Sequence, residues 1–391
     1  MPEKVMLYAS IGPQLTHYDV DVENATLTRR NSVSLPANVH YAWPHASREY
    51  LYVASSNSAS GIGGVVGDKH HVSGFRIDPA TGALTPHGAP IPLPTRPIHM
   101  TSDIPSRHLL VAFSNPSGVR VYRVNSDATP GVEVPQNEAI DPGIYGHQVR
   151  VSLDNRLAIL VTRGHDAAAG KPEEPEEPGA LKVFRYQDGR LTQEISVAPG
   201  GGYGFGPRHL DFHPTKPWVY VSLERQNRLD MFAISGDRLS PEPVFSKGTL
   251  AEPGNIRGRQ VAGTIHVHPN GRFVYVANRA SSTVGEGAER VFAGGENTLA
   301  VFAIDPVTGE PNPIQHIDTR GIHCRTLHID PSGRLLVAAH IIGLPVREGS
   351  DTRIIPACFS VFRIGTDGRL GFVRKYDVDV RDQQMFWMGM V

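Results

Sequence analysis

The chain repeats itself seven times, and no other feature narrows its possible folds as far. A strand-like alternating segment carrying one aromatic residue, then an Asp/Gly-rich turn and a short second strand, recurs around Tyr18, Phe75, Tyr122, Phe184, Phe232, Phe302 and Phe362, at spacings of 47 to 70 residues. A second pattern precedes most copies: a strand, a Pro/Asp/Gly/Asn turn and a strongly apolar strand, as in HVHPNGRFVYVANR from His266, LHIDPSGRLLVAAH from Leu327 and VRVSLDNRLAILVTR from Val149. Each repeat thus holds about four short strands, the content of one β-propeller blade. The expected fold is all-β: a seven-bladed β-propeller of four-stranded antiparallel blades, in a single domain spanning residues 1–391. The first strand, VMLYASI, lacks a partner before it, and the last, MFWMGMV, has nothing after it. Pairing Phe386–Val391 beside Val5–Ser10 closes the ring and removes two exposed edges.

Composition supports frequent turns, with 40 glycines and 32 prolines. A net charge of −1 and a pI near 7.0 leave no basic excess for neutralising phosphates, which argues against nucleic acid and for a small ligand. Two cysteines, Cys324 and Cys358, are too few for a disulfide framework and lack metal-ligand spacing. There is no leader-like N-terminal segment and no apolar run long enough to span a membrane, so the expected location is the cytoplasm. Three stretches exceed the repeat: a Pro/Glu-rich loop at 165–179, and Gly-rich polar segments at 250–260 and 279–297, the last two being candidates for lids.

In a propeller the innermost strands line the central channel, and loops at one of its ends build the ligand site. The polar residues placed at the starts of first strands are His99, His147, Arg208 with His209, His266 and Arg325. Glu224 stands just past the second strand of the hairpin opened by GGGYGFGPRH, and Arg279 ends FVYVANR one repeat later. Each histidine also suits a hydrogen-bonded filler of the channel, and Arg208 with Glu224 also suits an ion pair between strands. Two arginines from neighbouring blades can clamp a carboxylate or phosphate, because the guanidinium fork matches such anions. No HExxH or carboxylate-completed ligand set accompanies the histidines, so no metal is expected, and no GxSxG elbow is present. A cysteine nucleophile would have to be Cys324, next to His323.

GFGPRHLDFHP, VYVSLE, TIHVHPNGRFVYVANR and GHQVRVSLDNR resemble the repeat motifs of the seven-bladed propeller lactonases, the family of propeller-type 6-phosphogluconolactonase and of the fungal 3-carboxy-cis,cis-muconate lactonizing enzyme. The resemblance covers nearly the whole chain. It implies opening or closing of a lactone without metal or organic cofactor, and it sets His147, Arg208, Glu224 and Arg279 on the family's proposed active-site positions. Where relatives often have arginine, this chain has Gln260. Three functions follow as expectations. The first is hydrolysis of a small anionic lactone, with Glu224 or His147 as base, Arg208 and Arg279 as clamp, and His209, His99, His266, Gln260 and Arg325 as further substrate contacts. The second is cycloisomerisation of a muconate-type diacid, and the third is noncatalytic binding of a partner protein on the propeller face.

Overall fold

The computed structural model describes residues 4–59, 64–167 and 175–391. Seven sheets, each built on four antiparallel strands, follow one another along the chain, and in six of them the first strand in sequence lies at one edge of the sheet. These channel-lining strands are Asn38–Pro44, Pro97–Ser102, Gly146–Val151, Pro207–Phe212, Gln260–Val267 and Cys324–Ile329. The seventh is supplied by the C-terminus. Met388–Met390 pairs with Val5–Ile11, setting Leu7 opposite Met390 and Ala9 opposite Met388. Backbone bonds from Met6 N to Val391 O (3.0 Å) and from Ser10 N to Trp387 O (2.9 Å) extend the closure across the stretch expected from sequence.

The core is not central but lies between successive blades, where the apolar faces of neighbouring sheets meet. One such layer joins Tyr220, Leu229 and Met231 to Ile265, Val276 and Phe302 of the following blade. All seven marker aromatics are buried in these layers, each on the third strand of its blade. Four tyrosines on second strands add a polar stitch between blades. Tyr8, Tyr52, Tyr220 and Tyr275 each donate a buried hydrogen bond to a carbonyl in the next blade's outer turn, at Gly82 (2.7 Å), Ala128 (3.0 Å), Gly309 (2.8 Å) and Gly368 (2.9 Å). All four acceptor residues have positive φ, so each turn aims its carbonyl back at the neighbouring sheet. Tyr275→Phe is expected to lower stability by about 0.5–1.5 kcal/mol, the net worth of one such bond, measured by urea unfolding. An unchanged midpoint would show that the stitch contributes nothing beyond packing.

Strand direction decides which loops surround which end of the channel. Each inner strand starts at one mouth, so the links between second and third strands return to that same mouth. There lie three of the long excursions: 163–179, of which 168–174 fall outside the described residues, 281–297 and 341–357. The second carries a small hairpin, Thr283–Val284 with Val291–Phe292. The third carries another, Leu344–Glu348 with Asp351–Ile355, which the repeat pattern did not announce. The two hairpins pack against each other beside the mouth. The stems of the Pro/Glu-rich loop contribute Asp166 and Glu176, which form ion pairs with Arg225 (3.1 and 3.3 Å).

Candidate active site

Second strands of three successive blades end in charged residues. Arg163 follows Leu157–Thr162, Glu224 follows Trp218–Leu223, and Arg279 is the seventh residue of Phe273–Ala280. Because the strands end at the same mouth, the three side chains converge there. Arg163 donates to Glu224 Oε2 at 2.6 Å, and Arg279 donates to Oε1. Arg208, second residue of its inner strand, brings Nε to 3.4 Å from the same Oε1. One carboxylate is therefore held by three guanidiniums, and Arg208, Glu224 and Arg279 are at most 4% exposed.

Burial works against charge on Glu224, but Arg163, Arg279 and Arg208 together outweigh it and hold the carboxyl well below the usual range. Such a carboxylate is a weak proton acceptor. Burial and then Arg279 act against charge on Arg208, with Glu224 opposing them; a guanidinium nonetheless keeps its proton. Arg325 stands beside this group with its guanidinium over the Phe386 ring at 3.6 Å and its Nε donating to Phe386 O at 3.0 Å. Burial, aided by Arg279 and Arg96, lowers its pKa to about 9, so it too is charged at neutral pH. Arg163, Arg208, Arg279 and Arg325 against Glu224 give +4 − 1 = +3. A site with that excess takes an anion.

His147 is the second residue of its inner strand, the place Arg208 holds in the next blade. Burial, then Arg208, holds its pKa well below 6.5, so the ring is neutral, and its Nδ1 has no hydrogen-bond partner among the described residues. His209 packs against it with ring centroids 5.1 Å apart, touches the Arg208 guanidinium at 3.4 Å, and meets His99 at 6.0 Å. His99 in turn lies on Tyr41, at 3.9 Å, with neither ring nitrogen bonded to a described residue. The three histidines thus adjoin the charged group through His209, which touches Arg208 and has His147 and His99 beside it.

Two sequence expectations are corrected here. Gln260 begins its inner strand, but its amide is committed to backbone: Nε2 donates to Arg279 O (3.2 Å) and Glu296 O (3.0 Å), and Oε1 accepts from Glu296 N (2.7 Å). It pins the 294–297 segment to the strand that carries Arg279 and presents nothing to a substrate. His266 is not at a strand start, because its strand begins six residues earlier at Gln260. It lies towards the opposite end of the channel, its ring 5.0 Å from that of His328 and its Nδ1 3.8 Å from Asp211. Cys324 is also unsuited to attack: it is fully buried, and burial raises its thiol to about 12.

Sequence reasoning missed Arg163, although it occupies the same place after its strand as Glu224 does after the next, and that equivalence was the available signal. It also missed His323. This residue precedes its inner strand with φ 58°, as Tyr145 does three blades earlier with the same φ. Non-glycine residues adopt that conformation rarely, and it turns both rings towards the arginines. Tyr145 lies under the Arg163 guanidinium at 4.5 Å. His323 Nε2 accepts from Arg279 at 3.1 Å, so Nδ1 carries the proton and donates to Ser281 Oγ at 2.8 Å.

The seven-bladed β-propeller lactonase family matches residues 7–341 of the chain. The chain is a member of that family. Relatives of this propeller lactonase include the 6-phosphogluconolactonase of Bacillus subtilis (strain 168), 26% identical over 327 residues, with 83% of each chain covered. That of Cronobacter sakazakii (strain ATCC BAA-894) is 28% identical over 318 residues, 80% of each chain. Among solved structures, the periplasmic gluconolactonase of Pseudomonas aeruginosa superposes with a TM-score of 0.72 over 96% of both chains, at 21% identity, which speaks for the shared fold. Among the described residues the lactonase has no helix long and apolar enough to cross a membrane and no cluster of three metal-ligating side chains.

Proposed function

We propose that this lactonase hydrolyses a sugar-acid lactone carrying a phosphate or carboxylate group, and that the Arg163/Arg208/Arg279/Arg325 mouth is where it does so. The observation that carries the reading is the excess of +3 at the mouth, near a neutral imidazole whose Nδ1 has no partner among the described residues. Lactone opening needs a base to take a proton from the attacking water, a cation near the carbonyl oxygen as it gains charge, and a hold on the substrate's distant anion. His147 is assigned the first task because its ring is neutral at neutral pH and its Nδ1 has no partner among the described residues, whereas both oxygens of Glu224 are taken up by guanidiniums. Arg208, which touches His209, is placed for the second, and Arg325 and Arg279 for the third. Glu224 serves this arrangement by keeping three like charges together, a positioning role, rather than by moving a proton. The names of the curated relatives favour 6-phosphogluconolactone as the first substrate to try.

The test is turnover on a panel: 6-phosphoglucono-δ-lactone, the unphosphorylated lactone, and muconate-type diacids, each with excess chelator present. The phosphorylated lactone is expected to open with the highest kcat/KM, unaffected by the chelator. Preference for the diacids would move the reading to cycloisomerisation, and loss of activity restored by a divalent metal would revive a metal centre built from the histidines.

A further inference from the structure

The channel's other end carries a second polar cavity that lactone opening does not use. It occupies about 450 Å³ and is formed by the C-terminal halves of the inner strands, with His209 on its lining. Its centrepiece is an ion pair: Arg150 donates to Asp211 Oδ1 at 3.1 Å, while Asp211 Oδ2 accepts Val267 N at 2.9 Å. Arg150 is flattened against Trp43, its guanidinium carbon 5.2 Å from the ring centroid. His328 donates from Nδ1 to Ile329 O at 3.1 Å, which leaves Nε2 as an acceptor. Burial keeps this imidazole neutral, its pKa pushed to about 3.

Each ligand class leaves a different mismatch. An anion meets Asp211, and of the two guanidiniums on the lining Arg150 is already paired with that carboxylate and Arg48 is likewise engaged, so an anion is drawn instead to the mouth, with its excess of three positive charges. A cation meets Arg150, and a metal ion finds no group of three ligands among the described residues. A purely apolar ligand would strip water from Arg150, Asp211 and His328 without replacing its hydrogen bonds, which opposes binding. A polyhydroxylated ring satisfies all of them, because its hydroxyls both donate and accept while its C–H faces suit the walls of Trp43, Trp387 and Tyr41. A volume of about 450 Å³ lies within the range of small-ligand sites. We infer that this far-end cavity is a binding site for an uncharged monosaccharide or sugar alcohol, separate from the cationic mouth.

The chain's three tryptophans provide the readout, since Trp43 and Trp387 line the cavity and only Trp218 lies elsewhere. Titration with D-glucose and D-glucitol, followed by tryptophan fluorescence and by calorimetry, is expected to give saturable binding at about millimolar concentration. Arg150→Gln and His328→Phe are each expected to weaken it about tenfold or more, with kcat/KM for the lactone unchanged. His328→Phe keeps the shape of the ring, so it guards against a variant of Arg150 that fails to fold around Asp211. Saturating 6-phosphogluconate, directed to the mouth, should not displace the sugar. Absence of saturable binding up to about 100 mM, two decades above the expected constant, overturns the inference. So does binding that 6-phosphogluconate abolishes, or that His328→Phe leaves intact.

Discussion

Glu224→Gln is expected to lower the unfolding free energy by about 3–5 kcal/mol and to remove lactone turnover along with it. Among the described residues the carboxylate is the sole counter-charge within ion-pair distance of Arg208 and Arg279, both buried to within a few per cent of completely. Glutamine keeps the shape but leaves three guanidiniums facing one another with nothing to offset their desolvation. A catalytic base would behave differently. His147→Gln supplies the contrast: its ring is neutral and bears no charge partner, so stability should change little while kcat falls by about 10²–10⁴-fold, the usual contribution of a positioned proton acceptor. Chemical denaturation and steady-state kinetics on both variants separate the roles. If Glu224→Gln unfolds at the wild-type midpoint and loses only kcat, the carboxylate is the base and the assignment to His147 fails.

Acid should unfold the protein steeply between about pH 6 and pH 5. His40, His99, His147, His209 and His340 are all less than 8% exposed, and burial lowers the pKa of each, to about 4 for His340. Their folded-state values lie below the unfolded value near 6.5, so the unfolded chain binds more protons. Stability is therefore complete above pH 6.5 and declines as pH falls. Each such group takes stability away as pH falls through 6.5, and because all five act in the same direction the acid limb is steep. Glu224 acts in the same sense at lower pH, since its depressed pKa gives stability that is lost only as the carboxyl protonates. Urea midpoints at pH 7.5, 6.5 and 5.5 check this: a flat profile would mean that water reaches these rings and that they titrate normally in the folded state.

How much was legible follows from the range over which each feature is encoded. A blade is local: its strands are adjacent in sequence, its turns are marked by Asp, Gly and Pro, and its buried aromatic recurs once per repeat, so seven copies could be counted without coordinates. Even the long-range pairing of Met388–Met390 with Val5–Ile11 could be inferred, because an unpaired edge at each terminus has one economical solution in a closed ring. Of the site, the inner-strand residues Arg208 and His147 were legible as polar interruptions in apolar strands. Those at the ends of second strands were legible only where a motif drew attention to them; hence Glu224 and Arg279 were found and Arg163 was not.

The roles were another matter. Whether Glu224 is a base or a counter-ion depends on how many guanidiniums reach it, and Arg163, Arg208 and Arg279 come from three successive blades that meet only once those blades have packed together. Gln260 and His266 were misplaced for a related reason. A bulge between Ala262 and Ile265 lengthens that inner strand to eight residues, so a motif centred on GTIHV does not reveal which end of the channel its histidine faces. The sequence alone therefore determined the architecture, which rests on hydrophobic period and turn chemistry within each repeat. Only the tertiary structure decided the electrostatics, because Coulomb attraction and desolvation depend on distances between residues that the chain keeps 16 to 162 positions apart (224 to 208, 325 to 163).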